Sequence, residues 1–275
     1  MPDAPEVPAR YDSLAAGYAR HWGPVIRPAA EALLDRLGSE PETDVRILDV
    51  GTGTGTLALL ALERWPRATV AGVDASDAML ELAAAEAERR LASESRARFE
   101  RLAAVADHLP FASGTFDLAV SSFVLQLVPN RAAALREIRR ILRPGGRLAW
   151  VTWLVGGDRF RADEIVDEVL DEFGFDPPER DDRSGDLASA AAAAAATRRA
   201  GFGEVHAESG ALVHRWRPEA YAAFITDFDE QTTFESLARR ERARAESRLL
   251  ARLRALAPEE LTMRLPIVYV TGVAR

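Results

Sequence analysis

The chain has 275 residues, 48% hydrophobic and 28% charged, and its 35 basic against 43 acidic side chains give a formal charge of −8. That length fits one large domain or one domain with an elaborated insertion, the composition excludes a disordered or fibrous chain, and the negative charge weighs against nucleic acid as a partner. Having no cysteine excludes disulfides, thiolate metal sites and cysteine nucleophiles, and fits a reducing cytoplasm.

Residues Met1 to Arg10 are polar and Pro-rich, without the apolar core of a signal peptide, and no apolar run is long enough to span a bilayer. From Tyr11 to Leu37, apolar residues at helical spacing predict two short helices interrupted at Gly23-Pro24, followed by a linker from Gly38 to Asp44. Val45 to Val50 is a β-rich run that ends in Gly51-Thr52-Gly53-Thr54-Gly55, and a helix over Thr56–Arg64 follows. The strand-then-helix grammar repeats: Thr69–Val73 then Asp77–Leu91, a short strand over Ala97–Leu102, Phe116–Ser122 then Arg131–Leu142, and a fifth strand over Arg147–Trp153 after the break Arg143-Pro144-Gly145-Gly146. This alternation predicts a parallel sheet with helices on both faces.

Beyond Val155 the pattern changes. Asp163–Phe173 reads as a helix, Gly174–Gly185 as a charged loop, Leu187–Ala200 as an Ala-rich helix closed by Gly201, and Glu204–Gly210 as a strand. Pro218–Leu256 is mostly helical with a break near Asp227–Thr233, and Pro266–Gly272 is a β-branched run able to close the sheet. The expected organisation is an N-terminal helical cap over 1–40, an α/β core over 41–155, and a helical lid or insertion plus the final strands over 156–275.

Three alternating glycines directly after a buried strand let the backbone turn sharply and let a ligand lie close to it. Asp49, just before the turn, can accept hydrogen bonds from an ammonium group or from nearby backbone amides, which suits an amino-acid moiety better than a pyrophosphate. Asp74, at the end of the second strand, can accept both ribose hydroxyls of an adenosine. Asp107, in the loop after the third, can accept from an exocyclic adenine amine. The third glycine falls one residue earlier than in the dinucleotide fingerprint, which has its last glycine where this chain has Thr56.

At Ile47-Leu48-Asp49-Val50-Gly51-Thr52-Gly53-Thr54-Gly55, Val73-Asp74-Ala75-Ser76, Asp107–Phe111 with Phe116-Asp117, and Glu137–Gly146, the sequence resembles the class I S-adenosylmethionine-dependent methyltransferases. It is most similar to the small-molecule group that includes the ubiquinone/menaquinone-type enzymes. The resemblance covers roughly Tyr11–Trp153 and, more weakly, the Ala200-Gly201-Phe202 turn and the last strand. It implies a doubly wound, mostly parallel Rossmann-like sheet with N-terminal helices and a helical insertion before the last strand, with S-adenosylmethionine as cofactor and S-adenosylhomocysteine as product. Carried over residue by residue, Asp49, Gly51, Thr52, Gly53 and Gly55 would cradle the methionine portion. Asp74 would hold the ribose, Ala75 and Met79 would flank the adenine, and Asp107 with the backbone at His108 would read its amino edge. Ser121 and Gln126 would border the methyl-transfer side, and Tyr18 would close over the cofactor.

Methyl transfer from a sulfonium needs positioning more than a base, so no catalytic residue is assigned; His21 and Tyr11 are the candidates if the acceptor must lose a proton. His206 and His214 show no partner pattern for a metal. The aromatics Trp216, Tyr221, Phe224, Phe228 and Phe234 suggest an apolar or aromatic acceptor, although packing of the insertion accounts for them equally well. Rival readings are a non-catalytic cofactor-binding or dimerisation protein, and an enzyme acting on RNA or protein. Against the latter stand the absence of an Asn-Pro-Pro-aromatic motif and the interleaving of Glu241 and Glu246 with the arginines of 239–254. A homodimer through the helical insertion is an arrangement this fold allows.

Overall fold

The computed structural model describes residues 6–38, 44–175 and 185–275, so most of the expected 38–44 linker and of the 174–185 loop lies outside the described residues. In chain order the elements are α1 (Glu6–Gly17), a π-helical turn (Tyr18–Trp22), α2 (Gly23–Asp35), β1 (Val45–Val50), α3 (Thr56–Arg64), β2 (Ala68–Asp74), α4 (Asp77–Arg90), α5 (Ser93–Arg96) and β3 (Phe99–Ala103). They continue with β4 (Phe116–Ser122), α6 (Arg131–Ile141), β5 (Leu142–Trp153), α7 (Arg161–Glu172), α8 (Ala190–Arg199), β6 (Phe202–Arg215) and α9 (Pro218–Phe224). A second π-helical turn (Ile225–Asp229), α10 (Gln231–Ser236), α11 (Arg239–Arg254) and β7 (Thr262–Ala274) complete the chain. No helix among the described residues is long and apolar enough to cross a membrane.

The seven strands form one sheet in the order β3-β2-β1-β4-β5-β7-β6. β1 to β5 are parallel, whereas β7 runs antiparallel to both β5 and β6. Helices cover both faces, so the inner strands are buried on both sides and read as continuous apolar runs. Side-chain alternation sorts them: Val45 and Ile47 of β1 and Leu118 and Val120 of β4 enter one core with Leu33, Trp65 and Leu249. Leu48 and Val50 enter the other with Phe116, Ile138, Trp150 and Val270. Helices α9 to α11 lie between β6 and β7 in sequence and pack through Tyr221, Phe234, Ala245, Leu249 and Leu253 onto the first core. They are an insertion before the last strand of the sheet.

Several element boundaries differ from the sequence expectation, and the larger differences have physical reasons. The N-terminal helices break at Tyr18–Trp22 rather than at Gly23-Pro24, because Pro24 sits in the first turn of α2, where a missing N–H costs nothing. β5 begins at Leu142, so Arg143–Gly146 ends α6 by entering the strand, with a register shift against β4 between Phe116 and Leu118. α8 starts at Ala190, where the Ser189 hydroxyl caps it by accepting from the Ala192 amide at 3.1 Å, while Leu187 bridges to Leu154. β6 and β7 are both longer than expected because they pair with each other from Phe202↔Ala274 to Arg215↔Thr262.

Candidate cofactor site

β1 is flanked by β2 on one side and β4 on the other, so the strand order reverses at its carboxyl end, the place where open α/β sheets bind ligands. A cavity of about 240 Å³ lies there. Its walls come from the glycine turn after β1, the ends of β2 and β4, the loop after β3, and helices α1 and α2.

The turn is held by Val73 of β2, whose carbonyl accepts from the amides of both Gly51 and Thr52 at 2.8 Å. Gly53 has φ +53, and a Cβ there would meet nothing within 4 Å, so it would project into open space at the cavity wall. Gly51 has φ +70, and its Cβ would come within 2.4 Å of both γ-methyls of Val124. The two loops therefore interlock only because position 51 lacks a side chain. Gly51→Ala combines backbone strain with this clash, and we expect it to lower stability by about 2 kcal/mol. In chemical denaturation, Val124→Ala in the same chain should recover part of the loss. An unchanged midpoint for the single variant would show that the loops are not interlocked.

Asp49, 1% exposed, accepts from the Thr52 hydroxyl at 2.9 Å and the Ala58 amide at 3.1 Å. Both bonds fall on Oδ2; Oδ1 accepts from no described residue. Burial pushes its pKa up to about 7, against the opposing pull of the Thr52 and Ala58 hydrogen bonds and with a further push from nearby Asp74. Asp74 accepts from the Gly53 amide at 2.8 Å through Oδ2 and from the Ser76 amide at 3.0 Å through Oδ1. Burial raises its pKa too, opposed by those amides. Asp107 lines the same cavity from the loop after β3. Among the described residues, the cavity walls contain these three carboxylates and no Lys, Arg or His.

Tyr11 of α1 and Tyr18 of the π-helical turn that follows it cover the cavity, their rings meeting edge to face at 6.2 Å. One side of α1 is tied to α4: Asp12 accepts from the Ser76 hydroxyl at 2.5 Å and from the Ala78 amide at 3.3 Å. At its end, Gly17 approaches Phe228 so closely that a Cβ would lie 2.8 Å from the ring, and Tyr18 sets its ring against Phe228 at 6.2 Å. Burial, then Tyr11 and Asp74, raise the pKa of the Tyr18 phenol, keeping it neutral.

Of the residues singled out from sequence, Tyr11, Tyr18, Asp49, Gly51, Thr52, Gly53, Asp74, Ala75, Met79 and Asp107 meet around this one cavity. Five others do not line it. Gly55, at φ +81, starts α3, and its Cβ would meet Ala83 at 3.3 Å, so it serves helix packing. The His108 amide, expected to read an adenine edge, donates to the Val105 carbonyl at 3.1 Å instead. The Ser121 hydroxyl is buried in the sheet and donates to Val50 at 2.8 Å. Gln126 turns away to bond Phe123 and Thr152. His21 lies 3.8 Å from the Asp227 carboxylate, with its pKa lowered chiefly by burial, facing the insertion.

The walls that sequence reasoning missed are Ser122, Phe123 and Val124, the apolar rim Leu127, Val128 and Pro129, and Ile26 and Ala30 of α2. Ser122 presents a buried hydroxyl oxygen that bonds to no described residue. Phe123 holds φ +56, a conformation costing about 1 kcal/mol or more for a bulky residue. The insertion aromatics do not form a pocket: Trp216, Tyr221, Phe224 and Phe234 are buried at 7% exposure or less. Rings of Trp216 and Phe224 lie 5.1 Å apart, Phe224 stacks on Trp22 at 5.5 Å, and the Tyr221 hydroxyl donates to Asp163. Packing accounts for them.

Comparison with known proteins agrees with this arrangement: residues 48–150 match the family model described as methyltransferase domain. The chain is 37% identical over 156 residues to a malonyl-[acyl-carrier protein] O-methyltransferase of Geobacter sulfurreducens, a match covering 56% of this chain and 51% of that protein. It is 40% identical over 143 residues to the ubiquinone/menaquinone biosynthesis C-methyltransferase UbiE of Syntrophotalea carbinolica, covering 50% of this chain and 54% of that one. The matches thus span about half the length of these relatives. Among solved structures, phosphoethanolamine N-methyltransferase 2 of Haemonchus contortus, in complex with phosphomonomethylethanolamine and S-adenosylhomocysteine, superposes with a TM-score of 0.54 at 20% identity, over 90% of this chain and 52% of that one. The sheet around the domain has the Rossmann-like methyltransferase fold.

Proposed function

We propose that the protein is an S-adenosylmethionine-dependent methyltransferase acting on a small molecule. The observation that carries this is the cavity at the strand-order reversal, walled by a glycine turn and by Asp49, Asp74 and Asp107, with no cationic side chain among the described residues that line it. A pyrophosphate would meet three carboxylates there, whereas a ligand with an ammonium, a ribose diol and an adenine amine meets one carboxylate for each of those three groups. The open space at Gly53 and the unpartnered Ser122 hydroxyl fit the same ligand's aminoacyl part.

S-adenosylmethionine, when bound, supplies a sulfonium whose leaving group needs no acid. The chain's own residues then bind and orient: Asp49 and the turn fix the amino-acid end, Asp74 the ribose, Asp107 the adenine edge. Tyr11 and Tyr18 cover the cavity and exclude water, which strengthens the polar contacts inside. With the cofactor held this way, an acceptor placed in line with the methyl group would be positioned for transfer, and a proton on that acceptor would leave to solvent. The apolar rim Leu127, Val128 and Pro129 favours an acceptor with an apolar or aromatic face. In this reading residues 1–40 cover the cofactor, 41–155 hold it, and 156–275 brace the cover and complete the sheet.

The test is calorimetric titration with S-adenosylmethionine and S-adenosylhomocysteine, followed by transfer of a labelled methyl group to a panel of phenols, carboxylic acids and amines. Micromolar binding with product on at least one acceptor is expected. Binding without any product would favour a non-catalytic cofactor-binding protein, and no binding by folded protein would overturn the proposal.

A further inference from the structure

Gln126 was expected in the cofactor site and is not in it, yet it is tied to the strained residue that is. Phe123, directly after β4, has a left-handed conformation, one of two non-glycine residues with positive φ among the described residues. Three contacts hold it there. Its amide donates to the Val151 carbonyl at 2.9 Å, its ring stacks on Trp153 at 4.0 Å, and its carbonyl accepts from Gln126 Nε2 at 2.7 Å. The other end of the same amide, Gln126 Oε1, accepts at 2.7 Å from the hydroxyl of Thr152, which is completely buried in β5.

The backbone of Gln126 is pinned as well. A Cβ at Gly185 would lie 1.9 Å from the Gln126 carbonyl oxygen, and Arg131 bonds both the Leu125 carbonyl, at 3.0 Å, and the Gly185 carbonyl. What this arrangement fixes is the kink at Phe123. The kink sets Ser122 and Val124 in the cavity wall, with Val124 seated in the space left by the missing side chain of Gly51.

We propose that Gln126 is a positioning residue for the cofactor pocket: its side-chain amide spans Thr152 and the Phe123 carbonyl, and thereby holds Ser122 and Val124 against the glycine turn. The inference rests on the cofactor reading given above. A carboxamide is the group the geometry requires, because the position needs a donor toward Phe123 and an acceptor toward Thr152 at once. A carboxylate supplies only the acceptor until it is protonated, and then supplies both.

The experiment measures S-adenosylhomocysteine affinity by calorimetry for wild type, Gln126→Glu, Gln126→Leu and Thr152→Val, each at pH 8.0 and pH 5.5, with thermal unfolding alongside. Relative to wild type at the same pH, Gln126→Glu is expected to bind about tenfold more weakly at pH 8.0 and within about threefold at pH 5.5. Gln126→Leu should be about tenfold weaker at both, and Thr152→Val about threefold weaker. Restoration at low pH marks the donor to Phe123, which general destabilisation would not reproduce. Binding within twofold of wild type for both Gln126 variants would overturn the proposal, as would a loss in Gln126→Glu that is the same at both pH values. Should Gln126→Leu fail to fold, the pH comparison in Gln126→Glu and the Thr152→Val affinity still decide it. Wild-type protein that binds no S-adenosylhomocysteine would instead sink the cofactor reading.

Discussion

Replacing Asp74 with alanine is expected to weaken S-adenosylmethionine binding by about two orders of magnitude while leaving the fold intact. Asp74 takes the Gly53 amide on Oδ2 and the Ser76 amide on Oδ1, with the Ala75 amide also bonding the carboxylate, and in the proposed role its remaining acceptor capacity goes to the hydroxyls of a ribose diol. Hydrogen bonds to a charged acceptor contribute about 1.5–3 kcal/mol each, and losing two at the lower end costs about 3 kcal/mol, or roughly a hundredfold. Asp74→Asn keeps one acceptor and the approximate shape, so a smaller loss of about tenfold is expected. Calorimetry on both variants measures the effect, and thermal unfolding separates it from loss of the turn. Free methionine supplies a further control, since it has no ribose and its binding should not depend on Asp74. A loss below threefold in Asp74→Ala would remove the ribose role.

The acids were legible in sequence because each follows a strand at a spacing that the fold converts into position. Asp49 is the penultimate residue of β1, two before Gly51, Asp74 closes β2, and Asp107 follows β3, so the carboxyl edge of the sheet gathers them whatever the helices do. The wall from β4 was misread by one residue. Alternation contained the signal: Leu118 and Val120 share the core face of Ile47, and Asp49 and Ser122 continue that face, which turns Ser121 to the opposite side. The kink at Phe123 was not legible, since nothing in a phenylalanine announces a left-handed backbone, and its supports from Trp153, Val151 and Gln126 are tertiary. The insertion aromatics show the same limit, because helical spacing alone does not distinguish rings that line a pocket from rings that pack on one another. Here Trp22, ahead of the sheet in sequence, and Trp216, between β6 and β7, both pack on Phe224.

Cofactor affinity should rise with pH through neutrality, and the sign follows from Asp49. Its carboxyl is pushed up to about 7 by burial, so near pH 6 most molecules carry it protonated. The groups facing it are the Thr52 hydroxyl, the Ala58 amide and, at longer range, the Asp74 carboxylate, with no cation among the described residues of the cavity walls. An ammonium placed by the glycine turn is attracted to the ionised form alone, so binding at low pH must expel the proton. Affinity for S-adenosylmethionine is therefore expected to fall about tenfold per pH unit below 7 and to level off above about 8. Proton release accompanies it, seen as a binding enthalpy at pH 6.5 that changes with the ionisation enthalpy of the buffer. In the unliganded fold the same shift has the opposite consequence. A carboxyl whose folded pKa lies above its unfolded value of 3.8 is most stabilising when protonated, so its contribution declines as pH rises from about 4 to 7. Thermal stabilisation by the cofactor should accordingly grow over the pH range in which the free protein loses stability. Asp49→Asn cannot ionise: it should bind weakly, with a flat profile and no proton release. A wild-type affinity that is flat between pH 5.5 and 8 would show that Asp49 does not face the ammonium.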